Sequence, residues 1–248
     1  MKSIGIIPAR YASSRFPGKP LVQIRGKSMI QRVYEQASQA RLQQVLVATD
    51  DERIISEVQR FGGQAVLTNE SHQSGTDRCF EAYCIYNQPC DCVINIQGDE
   101  PFIQPEQINL VLDCFEKPAT QLATLIKKIE VPEELFNPNA PKVILDNRQQ
   151  AIYFSRHPIP YIRGYEPEHW LEQHTFYKHI GIYGYRTDIL EQITQLPPSK
   201  LELSESLEQL RWLENGFKII TALTTHENMG IDTPADLDKA ISQLKTSS

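Results

Sequence analysis

Val93-Ile94-Asn95-Ile96-Gln97-Gly98-Asp99-Glu100-Pro101 begins as a buried strand and ends as a polar turn carrying two acids. Val93, Ile94 and Ile96 form the short β-branched run of a strand covered on both faces. Gly98 lets the backbone turn, or pass close to a ligand, with no side chain in the way. Pro101 ends the strand, because it has no N–H to give to a sheet ladder. Asp99 and Glu100 are thereby delivered to the carboxyl end of a strand, where open α/β sheets bind their ligands. A carboxylate there suits a hard cation such as Mg²⁺, with substrate phosphates completing the shell. Taken alone, the same residues also make an ordinary acidic turn.

Upstream, strands and helices alternate. Ile4 to Ile7 read as a first buried strand and Val45-Leu46-Val47-Ala48 as a second, ending at Thr49-Asp50-Asp51. Ala65-Val66-Leu67 is a third. Between them, Met29, Ile30, Val33 and Ala37 mark one helix, and Ile54, Ile55 and Val58 another that closes at Gly62-Gly63. Cys79, Ala82, Tyr83 and Tyr86 recur at helical spacing and mark a third helix. This interleaving predicts an α/β fold with a mostly parallel sheet and right-handed crossovers.

Two loops at the ends of these strands carry polar chemistry. Pro8-Ala9-Arg10-Tyr11-Ala12-Ser13-Ser14-Arg15-Phe16-Pro17-Gly18-Lys19 gathers three cations and two hydroxyls directly after the first strand. Arg grips phosphate oxygens as a planar fork, and Lys supplies a point charge. The loop is neither a Walker A sequence nor a GxGxxG dinucleotide fingerprint. Before the third helix, either Ser74 or Thr76 can cap the free N–H groups. Arg78 lies in the first turn of that helix, against the dipole, which points to some other employment for it.

Downstream, Ile108, Val111, Leu112 and Phe115 predict a helix, residues 122–129 a strand, and Asn137-Pro138-Asn139-Ala140-Pro141 a turn. Beyond that turn the pattern shifts to strands at 143–145, 151–154 and 177–185, with a Pro-broken segment between the last two. Leu203, Leu207 and Leu210 predict one helix with Glu208 and Gln209 on its other side. In Gly230-Ile231-Asp232-Thr233-Pro234-Ala235-Asp236, Thr233 caps a final helix, Pro234 opens it and Asp236 answers the cap. Asp232 is thereby left available as a second carboxylate.

Composition bounds the function. The 248 residues are 40% hydrophobic and 23% charged, enough for a sizeable core. A net charge of −6 argues against a broad nucleic-acid or anionic-membrane surface, though a local Arg/Lys cluster still suffices for a nucleotide. No apolar run reaches membrane-spanning length, and the start of the chain is too short a run for a signal peptide. The five cysteines are odd in number and lack zinc-site spacing, so reduced, structural thiols in a cytoplasmic protein are expected.

Taken together, the segments 6–21, Ser74-Gly75-Thr76-Asp77-Arg78, 95–101, Tyr153-Phe154-Ser155-Arg156, 178–185, Leu207-Glu208-Gln209-Leu210-Arg211 and Gly230-Ile231-Asp232-Thr233-Pro234 resemble the 3-deoxy-D-manno-octulosonate (Kdo) cytidylyltransferases. The resemblance runs over nearly the whole chain. It implies a Rossmann-like nucleotidyltransferase fold in one domain, 1–248, with a smaller mixed α+β substrate and dimerisation region within about 142–215. It further implies transfer of CMP from CTP to Kdo, with pyrophosphate released, for lipopolysaccharide biosynthesis, and a homodimer.

By the same resemblance, Arg10, Ser13, Ser14 and Lys19 hold the CTP phosphates, while Arg78 and Gln97 lie on the nucleotide side. Asp99 and Asp232 share Mg²⁺, and with Arg10 and Lys19 make up the catalytic set. The metal lowers the pKa of the attacking hydroxyl and screens the two anions. Arg156, His179, Tyr183, Glu208 and Gln209 face the sugar acid. On residue type alone, His179 and Tyr183 would be a packed strand face, and Glu208 and Gln209 a solvated helix surface. A cytidylyltransferase for sialic acid or an amino-modified Kdo, and a catalytically silent nucleotide-binding homologue, are the rival expectations.

Overall fold

A computed structural model of the chain describes residues 1–12, 16–227 and 230–246. The chain divides into two compact units, Met1–Asn109 with Glu227–Ser248, and Leu110–His226.

In the first unit, β1 (Ser3–Ala9) leads through a loop to a two-residue-strand hairpin, β2 (Gln23–Ile24) and β3 (Lys27–Ser28). The turn between them, Arg25-Gly26, has both residues at positive φ, as a tight primed hairpin turn requires. Then follow α1 (Met29–Ala37), β4 (Gln44–Thr49), α2 (Glu52–Arg60), β5 (Ala65–Leu67), α3 (Gly75–Tyr86) and β6 (Cys92–Asn95). α4 (Pro105–Cys114) carries the chain onward into the second unit.

β6, β1, β4 and β5 lie side by side in that order, all parallel. Ile4, Ile6, Ile7, Val47, Val93 and Ile94 are fully buried, as expected of strands covered on both faces. The register puts Ala9 opposite Thr49 and Ile6 opposite Asn95, so the loops after β1, β4 and β6 leave from one end of the sheet. Helix α1 buries Met29, Ile30, Val33 and Ala37, the four residues of the sequence pattern. Helix α3 differs from expectation. Its buried residues are Thr76, Arg78, Cys79 and Ala82, while Tyr83 and Tyr86 are only partly covered, because ion pairing draws the Arg78 side inward.

The second unit runs β7 (Leu122–Lys128), α5 (Pro132–Leu135), β8 (Lys142–Leu145), β9 (Ala151–Ser155), α6 (Trp170–Gln173), β10 (Tyr177–Arg186), α7 (Thr187–Thr194), α8 (Lys200–Glu205), α9 (Gln209–Glu214) and β11 (Ile219–Leu223). β7 pairs parallel with β11 and antiparallel with β10. β8 joins β10 and β9, both antiparallel. The expected single helix through Leu203, Leu207 and Leu210 is corrected here: it is two helices, α8 and α9, broken at Ser206, whose φ is +51°. Leu203 is 69% exposed, whereas Leu207 and Leu210 are buried. The break has a tertiary cause, since Arg156 takes the Glu205 and Ser206 carbonyls as acceptors.

The last helix, α10 (Pro234–Thr246), returns to the first unit. There Ile231 and Ala240 pack with Ile24 and Met29. The sequence spaces an apolar stripe along this helix at Leu237, Ala240, Ile241 and Leu244; the Leu244 side chain lies outside the described residues.

Candidate active site

At the carboxyl ends of the parallel strands, three charged side chains of the first unit converge. Gly98 follows β6, and a Cβ at that position would stand 2.7 Å from the Pro8 carbonyl oxygen, so only glycine lets the turn pass β1 this closely. Asp99 comes next, and its carbonyl accepts the Ile231 N–H at 2.9 Å, tying the 231–232 segment beside it. Thr233 and Asp236 close the cap: Asp236 N–H donates to Thr233 Oγ1 at 3.3 Å, and Thr233 N–H donates to Asp236 Oδ2 at 2.9 Å. That arrangement leaves the Asp232 carboxylate pointing elsewhere.

Both acids meet Lys19. The lysine opens a single 3₁₀ turn after Gly18, at φ +71°, whose N–H donates to the Tyr11 carbonyl at 2.9 Å. Lys19 Nζ donates to Asp99 Oδ2 at 2.7 Å and to Asp232 Oδ1 at 3.1 Å. Burial pulls the lysine's pKa down, but Asp99 and Asp232 together outweigh it and hold it above its ordinary value. Two carboxylates, 80 and 213 residues along the chain from Lys19, thus aim at one cation position. The donor set fits Mg²⁺, which takes one or two carboxylates and completes its octahedron with phosphate oxygens and water. An all-protein cage is not available, since no cluster of three or more His, Cys, Asp or Glu ligands occurs among the described residues.

Beside this group lies a pair of arginines. Arg78 is fully buried on α3 and donates to Asp50 Oδ2 at 2.7 Å and to Thr68 Oγ1 at 2.6 Å. Its unfavourable helix position is offset by this ion pair with Asp50, at the end of β4. Ser74 is the residue that caps α3, accepting from Asp77 N–H at 3.1 Å. Arg10 follows β1, and burial, then the charge of Arg78, lowers its pKa against the opposing pull of Asp50 and Asp77. Arg10 Nη2 and Arg78 Nε are both buried and find no partner among the described residues. Two unsatisfied guanidinium N–H groups, one in the loop after β1 and one on α3, are donors suited to an anion. Gln97 is half-buried in the turn before Asp99, its carbonyl accepting Glu100 N–H at 3.3 Å. Ser13, Ser14 and Arg15, expected to join this loop's phosphate contacts, lie outside the described residues.

The residues assigned to a sugar acid fall in the second unit, and most of them gather. His179 and Tyr183 share one face of β10 with ring centroids 5.2 Å apart. Trp212 on α9 meets Tyr183 edge-on at 5.0 Å. Tyr183 is buried, and that burial, with Tyr185 and Glu208 nearby, raises its phenol well above the ordinary range. Burial likewise lowers His179 to about 3, leaving the ring neutral. The Tyr183 hydroxyl, Gln209 Nε2 and Trp212 Nε1 are buried with no hydrogen-bond partner among the described residues. Such donors are rare in a finished core and common where a polar ligand sits.

Arg156 is differently employed. Its guanidinium donates to the carbonyls of Glu205 at 2.6 Å, Pro138 at 2.9 Å and Ser206 at 3.1 Å. Glu205 answers with its carboxylate, which accepts from Ser155 Oγ at 2.7 Å and Arg156 N–H at 2.9 Å. Arg156 therefore braces the turn that presents Glu208 and Gln209, with part of its fork left over. Buried Lys142 supports it from behind, donating to the Arg156 carbonyl at 2.6 Å and the Asn137 carbonyl at 2.9 Å. Its burial lowers the amine to about 8. Thr124, Glu205, Lys142 and Trp212 were not picked out from the sequence. The nearest thing to a signal was Thr124, a single hydroxyl inside the apolar run of β7.

Comparison with known proteins gives this geometry a context. The Cytidylyltransferase family profile matches residues 4–219. A 3-deoxy-manno-octulosonate cytidylyltransferase of Cytophaga hutchinsonii is 63% identical over 236 residues, covering 94% of each chain. Its counterpart in Parabacteroides distasonis is 58% identical over 248 residues, covering 98% of each. Among solved structures, a CMP:2-keto-3-deoxy-manno-octonic acid synthetase complexed with CTP superposes with a TM-score of 0.92, at 44% identity and over 100% of both chains.

Proposed function

The chain belongs to the 3-deoxy-manno-octulosonate cytidylyltransferases, a family of nucleotidyltransferase enzymes, and on that premise we propose that it transfers CMP from CTP to Kdo and releases pyrophosphate. The observation that carries the proposal is the convergence of Asp99 and Asp232 on one cation position at the carboxyl ends of parallel strands. We further read the reaction as Mg²⁺-dependent, and its product as the activated sugar for lipopolysaccharide assembly.

The chemistry asks for an in-line attack by the sugar's anomeric hydroxyl on the α-phosphorus. Such a reaction needs little covalent help from the protein; it needs positioning and charge neutralisation. When bound by Asp99 and Asp232, Mg²⁺ supplies charge at the α-phosphate and acidifies the attacking hydroxyl. The protein's own groups do the rest. Arg10 and Arg78 offer buried N–H donors to the nucleotide's anionic part, Gln97 lies on the same side, and Ser13, Ser14 and Lys19 act on the phosphates. Tyr183, Gln209, His179 and Glu208 hold the sugar acid, and Arg156 stiffens the turn bearing two of them.

The test is pyrophosphate release from CTP, with Kdo, its 8-amino analogue and sialic acid offered separately, with Mg²⁺ and with chelator. Release with Kdo that chelation abolishes is the expected result. No release with any of the three acids would leave a silent nucleotide-binding homologue. Release only with another acid would keep the phosphate and metal assignments and reopen the sugar residues.

Two wider proposals accompany this one. Cytoplasmic residence suits a chain whose cysteines are all free thiols and in which no described helix is long and apolar enough to cross a membrane. A homodimer suits the second unit, where Val131, Phe136, Tyr161 and Tyr165 stand 43–73% exposed. Phe136 and Tyr161 both lean on Trp170 there, with ring centroids 6.0 and 5.2 Å away. Tyr161→Glu with Phe136→Glu should shift sedimentation from dimer to monomer; an unshifted dimer would place the interface elsewhere.

A further inference from the structure

Thr124 sits where β10 is irregular against β7. Ile180 faces Leu125, but the next pair is Tyr183 with Thr124, so Gly181 and Ile182 bulge out of the ladder. The fully buried Thr124 hydroxyl meets three groups there: the Ile182 carbonyl at 2.7 Å, the Ile180 carbonyl at 3.2 Å and His179 Nε2 at 3.0 Å. A hydroxyl has one proton to give and lone pairs to accept with, while carbonyl oxygens can only accept. If that proton went to His179, the Ile182 oxygen would face a bare hydroxyl oxygen, two acceptors with nothing between them. The proton therefore goes to the carbonyls, and the lone pair that remains must meet an N–H.

We infer that Thr124 is a positioning residue that fixes His179 as its neutral Nε2–H tautomer, leaving Nδ1 to accept a hydrogen bond from a hydroxyl of the sugar acid rather than to bind its carboxylate. The inference rests on the placement of the sugar acid at His179 proposed above. Three further observations support it. The edge of Phe154 at 5.2 Å and the tilted ring of Tyr183 at 5.2 Å hold the imidazole plane. The His179 backbone N–H is anchored on the Pro141 carbonyl at 2.8 Å. Burial keeps the ring from protonating near neutrality, so it offers no cation to an anionic group. The donors that would suit a carboxylate are instead the Tyr183 hydroxyl and Gln209 Nε2, both buried without a partner among the described residues. The pocket's labour is then divided: His179 accepts from a hydroxyl, while Tyr183 and Gln209 donate to oxygen.

The tautomer is read directly by long-range ¹H–¹⁵N spectra of the full-length protein labelled at histidine, with no substrate present. His179 should show Nε2–H in the wild type and in Thr124→Ser, which keeps the hydroxyl. Thr124→Val should show a mixture or the Nδ1–H form. An Nδ1–H tautomer in the wild type overturns the inference. In kinetics, Thr124→Val should raise the KM for Kdo about ten-fold, the size of one polar contact, and leave the KM for CTP unmoved. Thr124→Ser should restore it. If Thr124→Val does not fold, the wild-type and Thr124→Ser spectra still decide the tautomer.

A series of Kdo analogues, each lacking one hydroxyl, completes the test. One of them should lose affinity in the wild type and lose no more in Thr124→Val; equal added losses across the series would overturn the hydroxyl contact. Saturation with Kdo should move the Nδ1 resonance. An Nε2–H tautomer with no such movement would overturn the placement of the sugar acid at His179, while the tautomer itself would stand.

Discussion

Replacing Lys19 with methionine removes the one charge held between Asp99 and Asp232 while keeping the length of the side chain. The two carboxylate oxygens lie 2.7 and 3.1 Å from Nζ, so they are no farther apart than those distances laid end to end. Two like charges about 6 Å apart repel by about 3 kcal/mol at an effective dielectric of about 20. Asp99 is 31% exposed and Asp232 45%, so solvent and salt reduce that figure to about 1–2 kcal/mol. With chelator present, Lys19→Met should therefore melt about 2–8 °C below the wild type in calorimetry, given about 2–4 °C per kcal/mol for a domain this large. Mg²⁺ should recover more of that loss in the variant than it adds to the wild type. The same energy passes to a metal ion that no longer competes with an ammonium. Mn²⁺ binding followed by electron paramagnetic resonance, without nucleotide, should tighten about 5- to 30-fold. CTP binding should weaken if Lys19 acts on the phosphates as proposed. In the wild type, the raised lysine pKa means that the triad's contribution is complete below the amine's ordinary 10.5 and is lost as pH rises through the folded value. Unchanged stability in chelator together with unchanged or weaker Mn²⁺ binding would refute this account of Lys19.

Three further outcomes follow from the same geometry. Arg78→Leu strands Asp50 beside a buried site and should cost about 3 kcal/mol in urea unfolding, with the Asp50→Leu double variant regaining much of it; a loss under 1 kcal/mol would show that the pair carries no such energy. Arg156→Ala should destabilise by about 2–4 kcal/mol through three orphaned carbonyls and raise the KM for Kdo but not for CTP. Arg156→Lys should rescue little, since an ammonium lacks the fork, and full rescue would argue for charge alone. For His179 the unfolded ring protonates near 6.5 while the folded ring waits until about 3, so its stabilising contribution is lost as pH falls between those values. At pH 5 the wild type should have lost up to about 2 kcal/mol relative to His179→Gln, and parallel acid curves for the two proteins would contradict the buried neutral ring.

How much of this was legible in the chain depends on how far apart the interacting groups lie. Runs, caps and glycines act over a few residues, so β1, β4, β6 and the Thr233–Asp236 cap could be read directly, and the cap of α3 narrowed to Ser74 or Thr76. Asp99 and Asp232 stood out for the same local reason, a carboxylate left over once glycine or a cap had settled the backbone. Arg78 is intermediate: its awkward place in a helix's first turn was visible, but Asp50, 28 residues away, was not. The break at Ser206 was hidden altogether. Its leucine spacing is helical, and only the Arg156 fork, 49 and 50 residues back, explains why the carbonyls there leave the helix ladder. Thr124 was hidden more deeply, because its role exists only once β7 and β10 have paired out of register by two residues. A strand pattern specifies which face a side chain takes, not where the ladder slips. Asp99, Asp232 and Arg78 are thus betrayed by chemistry unsuited to their local structure, whereas Thr124 looks like an ordinary member of a strand until tertiary register is known. At Thr124, as at the bracing contacts of Arg156, the protein uses carbonyl oxygens, which every residue carries and no sequence motif records.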